Sequence, residues 1–153
     1  MNSHSARIMG TSLAFSMIVL AAGSAMAGGA PVEVERDTIG IFNPAGGTFF
    51  LRNANSAGAA AVTASFGPAD TVPLMGDYDN NNTDTFGAYS PSLGRFLLRN
   101  TNTEGAATTA FNYGPKNSTN VVALIGNWDG TCDDTPALFE RSGGRFLIRN
   151  TNT

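Results

Sequence analysis

The residues best suited to chemistry lie in the run GDYDNNNTDT, residues 76–85. Asp77, Asp79 and Asn81 alternate along it, Thr83 follows with a backbone carbonyl, and Asp84 closes it. Ca²⁺ takes about six to eight oxygen ligands in a flexible cage, and a short loop of carboxylates and amides at alternate positions supplies them. Asp and Asn are also ordinary turn residues between strands. Three aspartates within eight residues repel one another unless a cation offsets them, which favours the metal. A second run, GNWDGTCDDT, residues 126–135, keeps the frame in a degraded form. Its candidates are Asn127, Asp129, Thr131, Asp133 and Asp134; Asn127 replaces the first carboxylate, so weaker affinity is expected. Before Asp37 the matching positions hold Ala30 and Val32, and no third site is expected.

Other chemistries find little support. The only histidine is His4 and the only lysine is Lys116. Nucleophilic catalysis needs a base beside its nucleophile, and beyond residue 27 no histidine can serve. No HExxH run and no Cys/His cluster is present. Paired carboxylates can hydrolyse glycosides, but Asp77, Asp79 and Asp84 are better explained as ligands. The sequence reads as a non-enzyme, with Ca²⁺ as its expected cofactor and no catalytic residue.

Residues 1–27 have the layout of a secretory signal peptide: Arg7, a short apolar run, then Ala25-Met26-Ala27 at the cleavage point. The apolar run is shorter than the ~20 residues of a spanning helix, and Gly10, Thr11, Ser12 and Ser16 interrupt it. The expected product is secreted to the medium, the cell surface or the periplasm, with no membrane span. The net charge of −3 becomes one unit more negative when Arg7 leaves, which argues against nucleic acid as a partner. Cys132 is the lone cysteine, so no internal disulfide is available, and packing or bound ions must stabilise the chain.

Three gapless copies of one unit must position the loops: DTIGIFNPAGGTFFLRNANSAGAA from Asp37, DTFGAYSPSLGRFLLRNTNTEGAA from Asp84 and DTPALFERSGGRFLIRNTNT from Asp134. Arg52, Arg99 and Arg149 stand 47 and 50 residues apart, and three extra residues follow Pro115. The Arg-Asn pairs recur once per unit, which suits a structural task repeated three times better than catalysis. Four short runs per unit favour strands, as in VPLMGDY, TFGAYS, GRFLLRN and ATTAFNYG, with NPAGG and SPSLG as hairpin loops. The period of two sets Phe96 and Leu98 against Arg95, Leu97 and Arg99. Phe49, Leu51, Phe96, Leu98, Phe146 and Ile148 are the expected core. The fold class is all-β, in tandem four-stranded antiparallel meanders over residues 37–153, with units near 37–72, 73–120 and 121–153. Residues 28–36 form an N-terminal segment whose VEVER run is a candidate strand.

The pattern GD[YW]DxxxxDT, an aromatic strand and then [FL][LI]RNxN resembles the FG-GAP or VCBS-like repeats of exported bacterial proteins, related to the head of integrin α chains. The resemblance covers nearly all of residues 37–153, and GDYDNNNTDT with Phe66-Gly67-Pro68 is its most specific part. It implies β-propeller blades with Ca²⁺ in the loop joining the first two strands. Asp84 stands at loop position eight, which departs from the integrin and EF-hand spacing and leaves the closing ligand open. A closed propeller takes four to eight blades, and this chain fills about two and a half, an incomplete ring. Self-association through open blade edges is therefore expected. Two roles stay open: a calcium-stabilised binding or adhesion module for a glycan or protein, or a self-assembling surface or filament protein. A non-catalytic appendage of a larger secreted enzyme is a further alternative.

Overall fold

The computed structural model describes the backbone of Ser16–Val19 and residues 38–153. Ten strands follow β1 (Ser16–Val19): β2 (Ile39–Asn43), β3 (Thr48–Leu51), β4 (Val62–Ser65), β5 (Val72–Gly76), β6 (Thr85–Ser90), β7 (Arg95–Leu98), β8 (Thr109–Asn112), β9 (Val121–Gly126), β10 (Thr135–Glu140) and β11 (Arg145–Ile148). They form three antiparallel sheets ordered β1-β2-β3-β4, β5-β6-β7-β8 and β9-β10-β11. The described residues contain no helix. The all-β, repeated-meander expectation holds at this level, and the aligned second and third strands pair in the same register in all three sheets, although the first sheet takes its first strand from Ser16–Val19 and the third sheet has three strands. Phe49, Phe96 and Phe146 pair in turn with Phe42, Tyr89 and Phe139.

Each strand forms for a local reason. β-Branched and aromatic residues fill the short runs, and Gly-bearing turns at 44–47, 91–94 and 141–144, the first two opening on Pro, close the hairpins. The expected leader lies outside the described residues except for Ser16–Val19, which pair antiparallel with β2 from Val19↔Ile39 to Ser16↔Phe42. The VEVER run, residues 32–36, expected as a candidate strand beside the first unit, also lies outside the described residues.

Alternation within each strand sends side chains to both faces of a sheet, and the sheets stack on those faces. Phe42, Phe49 and Leu51 of the first sheet meet Met75, Phe86 and Ala88 of the middle one. The opposite face of the middle sheet offers Leu74, Tyr89, Phe96 and Leu98 to Ala123, Ile125 and Leu138 of the third. Aromatic rings carry the contact across strands and sheets: Phe49 lies 4.7 Å from Phe86 and Tyr89 lies 4.8 Å from Phe96, in tilted arrangements. The hydroxyl of Tyr78 sits directly over Gly87, where any Cβ would collide with it.

The expected core divides. Phe49, Leu51, Phe96 and Leu98 are buried, with both phenylalanines at 0% exposure. Phe146 and Ile148 are not: they are 54% and 50% exposed. The repeat places them on the same side of their strand as Phe96 and Leu98, but among the described residues no fourth sheet covers that side. Strand pattern sets the direction of a side chain; a neighbouring sheet decides whether it is buried. Phe96→Ala should therefore cost about 3–5 kcal/mol, and Phe146→Ala less than about 1 kcal/mol. Urea unfolding of the two variants, in solution dilute enough to keep the chain monomeric, measures the difference, and equal losses would contradict the stacking order.

Candidate metal loops and the repeated polar clamps

The first loop joins β5 to β6 and is wound around Asp77. Its Oδ1 accepts the amides of Asn81 (3.0 Å) and Asp79 (3.4 Å), and its Oδ2 accepts that of Asn82 (2.7 Å). Asn81 Oδ1 in turn accepts the Thr83 amide at 2.9 Å. Asn80 and Asn82 take positive φ, 56° and 64°, which Asn tolerates better than most residues. Asp79 is exposed. These N–H donors offset the charge on Asp77, so the loop has an answer to carboxylate repulsion beyond a cation.

The second loop, between β9 and β10, repeats the winding with other atoms. Asn127 Oδ1 accepts the Gly130 amide at 2.6 Å. Thr131 donates its hydroxyl to Asp129 (2.6 Å), with Asp133 Oδ1 2.9 Å from the same oxygen, and its amide also reaches Asp129. These bonds, the hydroxyl first, hold the Asp129 pKa below the ordinary carboxylate value. Gly130 and Cys132 stand where Asn80 and Asn82 stand, with φ of 78° and 83°.

Asp134, the last candidate of the second loop, belongs spatially to the first. Its Oδ2 accepts the Asp77 amide at 3.1 Å, and its own amide donates to the Asp77 carbonyl at 2.6 Å. This reciprocal pair ties the middle sheet to the third. Burial pushes the Tyr78 phenol well above its usual range, and the negative charges of Asp134 and then Asp84 push it further. The donor set is all oxygen, the kind Ca²⁺ prefers. Among the described residues, however, no three Asp, Glu, His or Cys side chains converge as a metal cluster.

The repeated Arg-Asn motif works on backbone. Arg99 reaches the Thr103 (2.6 Å), Ala106 (2.5 Å) and Glu104 (2.8 Å) carbonyls and the Thr103 hydroxyl (2.9 Å). Arg52 grips the Ala54, Ala57 and Ala59 carbonyls of its own loop in the same way. Gly105 lies against the guanidinium with φ of 146°, and a Cβ there would fall 2.7 Å from an Arg99 nitrogen. Arg149 differs: its guanidinium lies 4.9 Å from the Phe111 ring centre, packing the third sheet on the middle one. The second Asn of the last two phrases bonds the strand start. Asn102 Nδ2 donates to the Asp84 carbonyl, and Asn152 Nδ2 to those of Asp134 and Tyr78, at 2.9–3.0 Å.

One clamp escaped the sequence reading. Asp70 Oδ2 accepts the Ser92 amide at 2.8 Å and both its oxygens meet the Ser90 hydroxyl at 3.0 Å. Asn120 Oδ1 accepts the Ser142 amide at 3.0 Å. Each residue leads into the first strand of its unit and holds the turn between the next two strands. Counting back from Gly76 and Gly126 would have aligned Asp70 with Asn120; aligning forward from Gly-Pro hides them behind the insertion.

No match is found for the chain among protein families, curated proteins or solved structures.

Two expectations follow. Burial alone raises the Asp70 pKa, but hydrogen bonds from Ser92 and Ser90 outweigh it and hold the pKa below the ordinary value. The folded-state pKa is the lower one, so this contribution is present above the unfolded carboxylate pKa of about 3.9 and fades as pH falls through the folded value. Asp70→Asn should flatten that segment of an acid-unfolding curve; an unchanged curve refutes the clamp. Cys132, exposed and at positive φ, should gain from replacement by Asn. The expected gain is about 1 kcal/mol by thermal unfolding.

Proposed function

We propose that the chain is a non-catalytic, exported repeat module whose sheets are propeller-like blades, of the FG-GAP or VCBS-like kind, that present their loops to a glycan or protein. The observation that carries this reading is the use of the recurring polar residues. Arg52 and Arg99 hold loop carbonyls, Asn102 and Asn152 hold strand starts, and Asp134 holds the next unit's loop to the middle sheet. Polar groups that recur with the repeat and bond to backbone serve as scaffold, which leaves recognition to the exposed loop residues that vary between units.

Calcium is the second element of the proposal. Asp77, Asp79, Asn81, the Thr83 carbonyl and Asp84 would hold it in the first loop. In the second, Asn127, Asp129, Thr131 and Asp133 would do so more weakly, since the Asp134 carboxylate is engaged at the first loop. The hard oxygen donors and the exposed Asp79 support this. The cation would neutralise the loop's carboxylates and stiffen it for recognition. The self-assembling alternative is favoured by a separate observation, the exposed Phe146, Leu147 and Ile148 on β11. Export follows the leader-like residues 1–27, and no helix among the described residues is long and apolar enough to cross a membrane.

A ligand that binds only the folded state stabilises it by about 2.7 kcal/mol at a hundredfold excess over Kd. The melting temperature should rise in millimolar Ca²⁺ relative to excess chelator. Asp79→Asn should remove most of that rise with little change in chelator, and Asp129→Asn should remove less. Identical melting with and without Ca²⁺ would end the calcium proposal. Retention on a glycan array, absent from a denatured control, tests the binding role.

A further inference from the structure

We propose that the open face of the third sheet binds the open face of the first sheet of a second copy of this chain, head to tail. The inference rests on the stacked-blade reading above but needs no cation. Two internal interfaces show what the contact is made of. Phe49 and Leu51 on β3 are covered by Phe86 and Ala88 on β6. Phe96 and Leu98 on β7 share a core with Leu138 on β10. In both, a Phe-x-Leu pair on the third strand of one unit meets positions on the second strand of the next.

Among the described residues, the two outer sheets hold one half each. On β11, Phe146 and Ile148 repeat the pair to be covered and are 54% and 50% exposed. On β2, Ile39 and Ile41 occupy the covering positions, aligned with Phe86 and Ala88, and are 37% and 41% exposed. The third sheet's face is therefore shaped by the repeat to receive a second-strand surface of this same sequence type, and β2 presents one that is exposed among the described residues. Joining unlike faces makes a heterologous contact, which closes as a ring or grows as a filament according to its rotation. It continues the internal interface, whereas pairing two third-sheet faces would have no counterpart in the stack.

Sedimentation of the full chain over a concentration series, in chelator and again in Ca²⁺, tests the contact with two variants, Phe146→Glu and Ile41→Glu. Both positions are exposed, and circular dichroism with cooperative melting checks that each variant folds; Ile148→Glu and Ile39→Glu replace either one that does not. The wild type should associate as concentration rises. Each variant alone should stay monomeric, because every contact needs one intact face of each kind. Mixed in equal amounts, they should form a dimer of twice the monomer mass, since the third sheet of Ile41→Glu and the first sheet of Phe146→Glu are both intact. A wild type monomeric at high concentration overturns the proposal, because other residues of the chain or another protein then cover the face. So does association that survives Ile41→Glu, which would mean like-face or strand-edge pairing, and so does a mixture that stays monomeric. Association that is the same in chelator and Ca²⁺ leaves this inference standing even where the calcium proposal fails.

Discussion

Every sheet in this protein is apolar on both faces, and the rest of the structure follows from that. Four-residue strands such as β3, β7 and β11 are too short for one sheet to stand alone in water. Burying a Phe or Leu side chain is worth about 1.5–3 kcal/mol, and the stack buries such side chains between each pair of sheets. Phe49 and Phe96 reach full burial only because Phe86 and Leu138 arrive from the next unit. Polar groups are consequently driven to the loops and strand ends, where they settle the geometry of the stack.

Those polar groups act in a graded way. Asp70 and Asn120 hold a turn within a unit, and Arg52 and Arg99 hold a loop. Asp134 and Asn152 cross from the third sheet to the middle one. Their bonds to backbone N–H and C=O groups are directional, and charge-assisted for the Asp and Arg members, so they fix register where apolar contacts alone would slide. Asn152 bonds two carbonyls, Tyr78 in the loop that leaves β5 and Asp134 just before β10, which makes it a joint between units.

The strands, the hairpin turns and the period of two were legible because they are local: Phe96 and Leu98 announce a face by spacing alone. The scaffold role of the Arg-Asn motif was legible from its recurrence. Burial of Phe146 was not, because burial depends on a neighbour that the strand does not encode. The partner of Asp134 was hidden for a similar reason, since Asp77 lies 57 residues away in another unit's loop. Asp70 and Asn120 were obscured by the insertion between Gly-Pro and the first strand. The loops could be read as oxygen-rich, but the number of lone pairs taken up by backbone amides is a property of the folded turn.

That last point separates the shape of the loop from its affinity for a cation. A carboxylate has about four lone-pair sites, and Asp77 gives three to the amides of Asp79, Asn81 and Asn82. In the second loop the neutral oxygen of Asn127 accepts the Gly130 amide, and the turn still passes through positive φ at both corresponding positions. Replacing Asp by Asn at the head of the loop therefore removes a charge without removing the fold of the turn. A repeat can lose metal affinity in one unit while its backbone is preserved, provided an oxygen remains at the first position. The loop shape thus belongs to the scaffold, and any preference for calcium must rest on residues the turn does not need, of which the exposed Asp79 is the clearest.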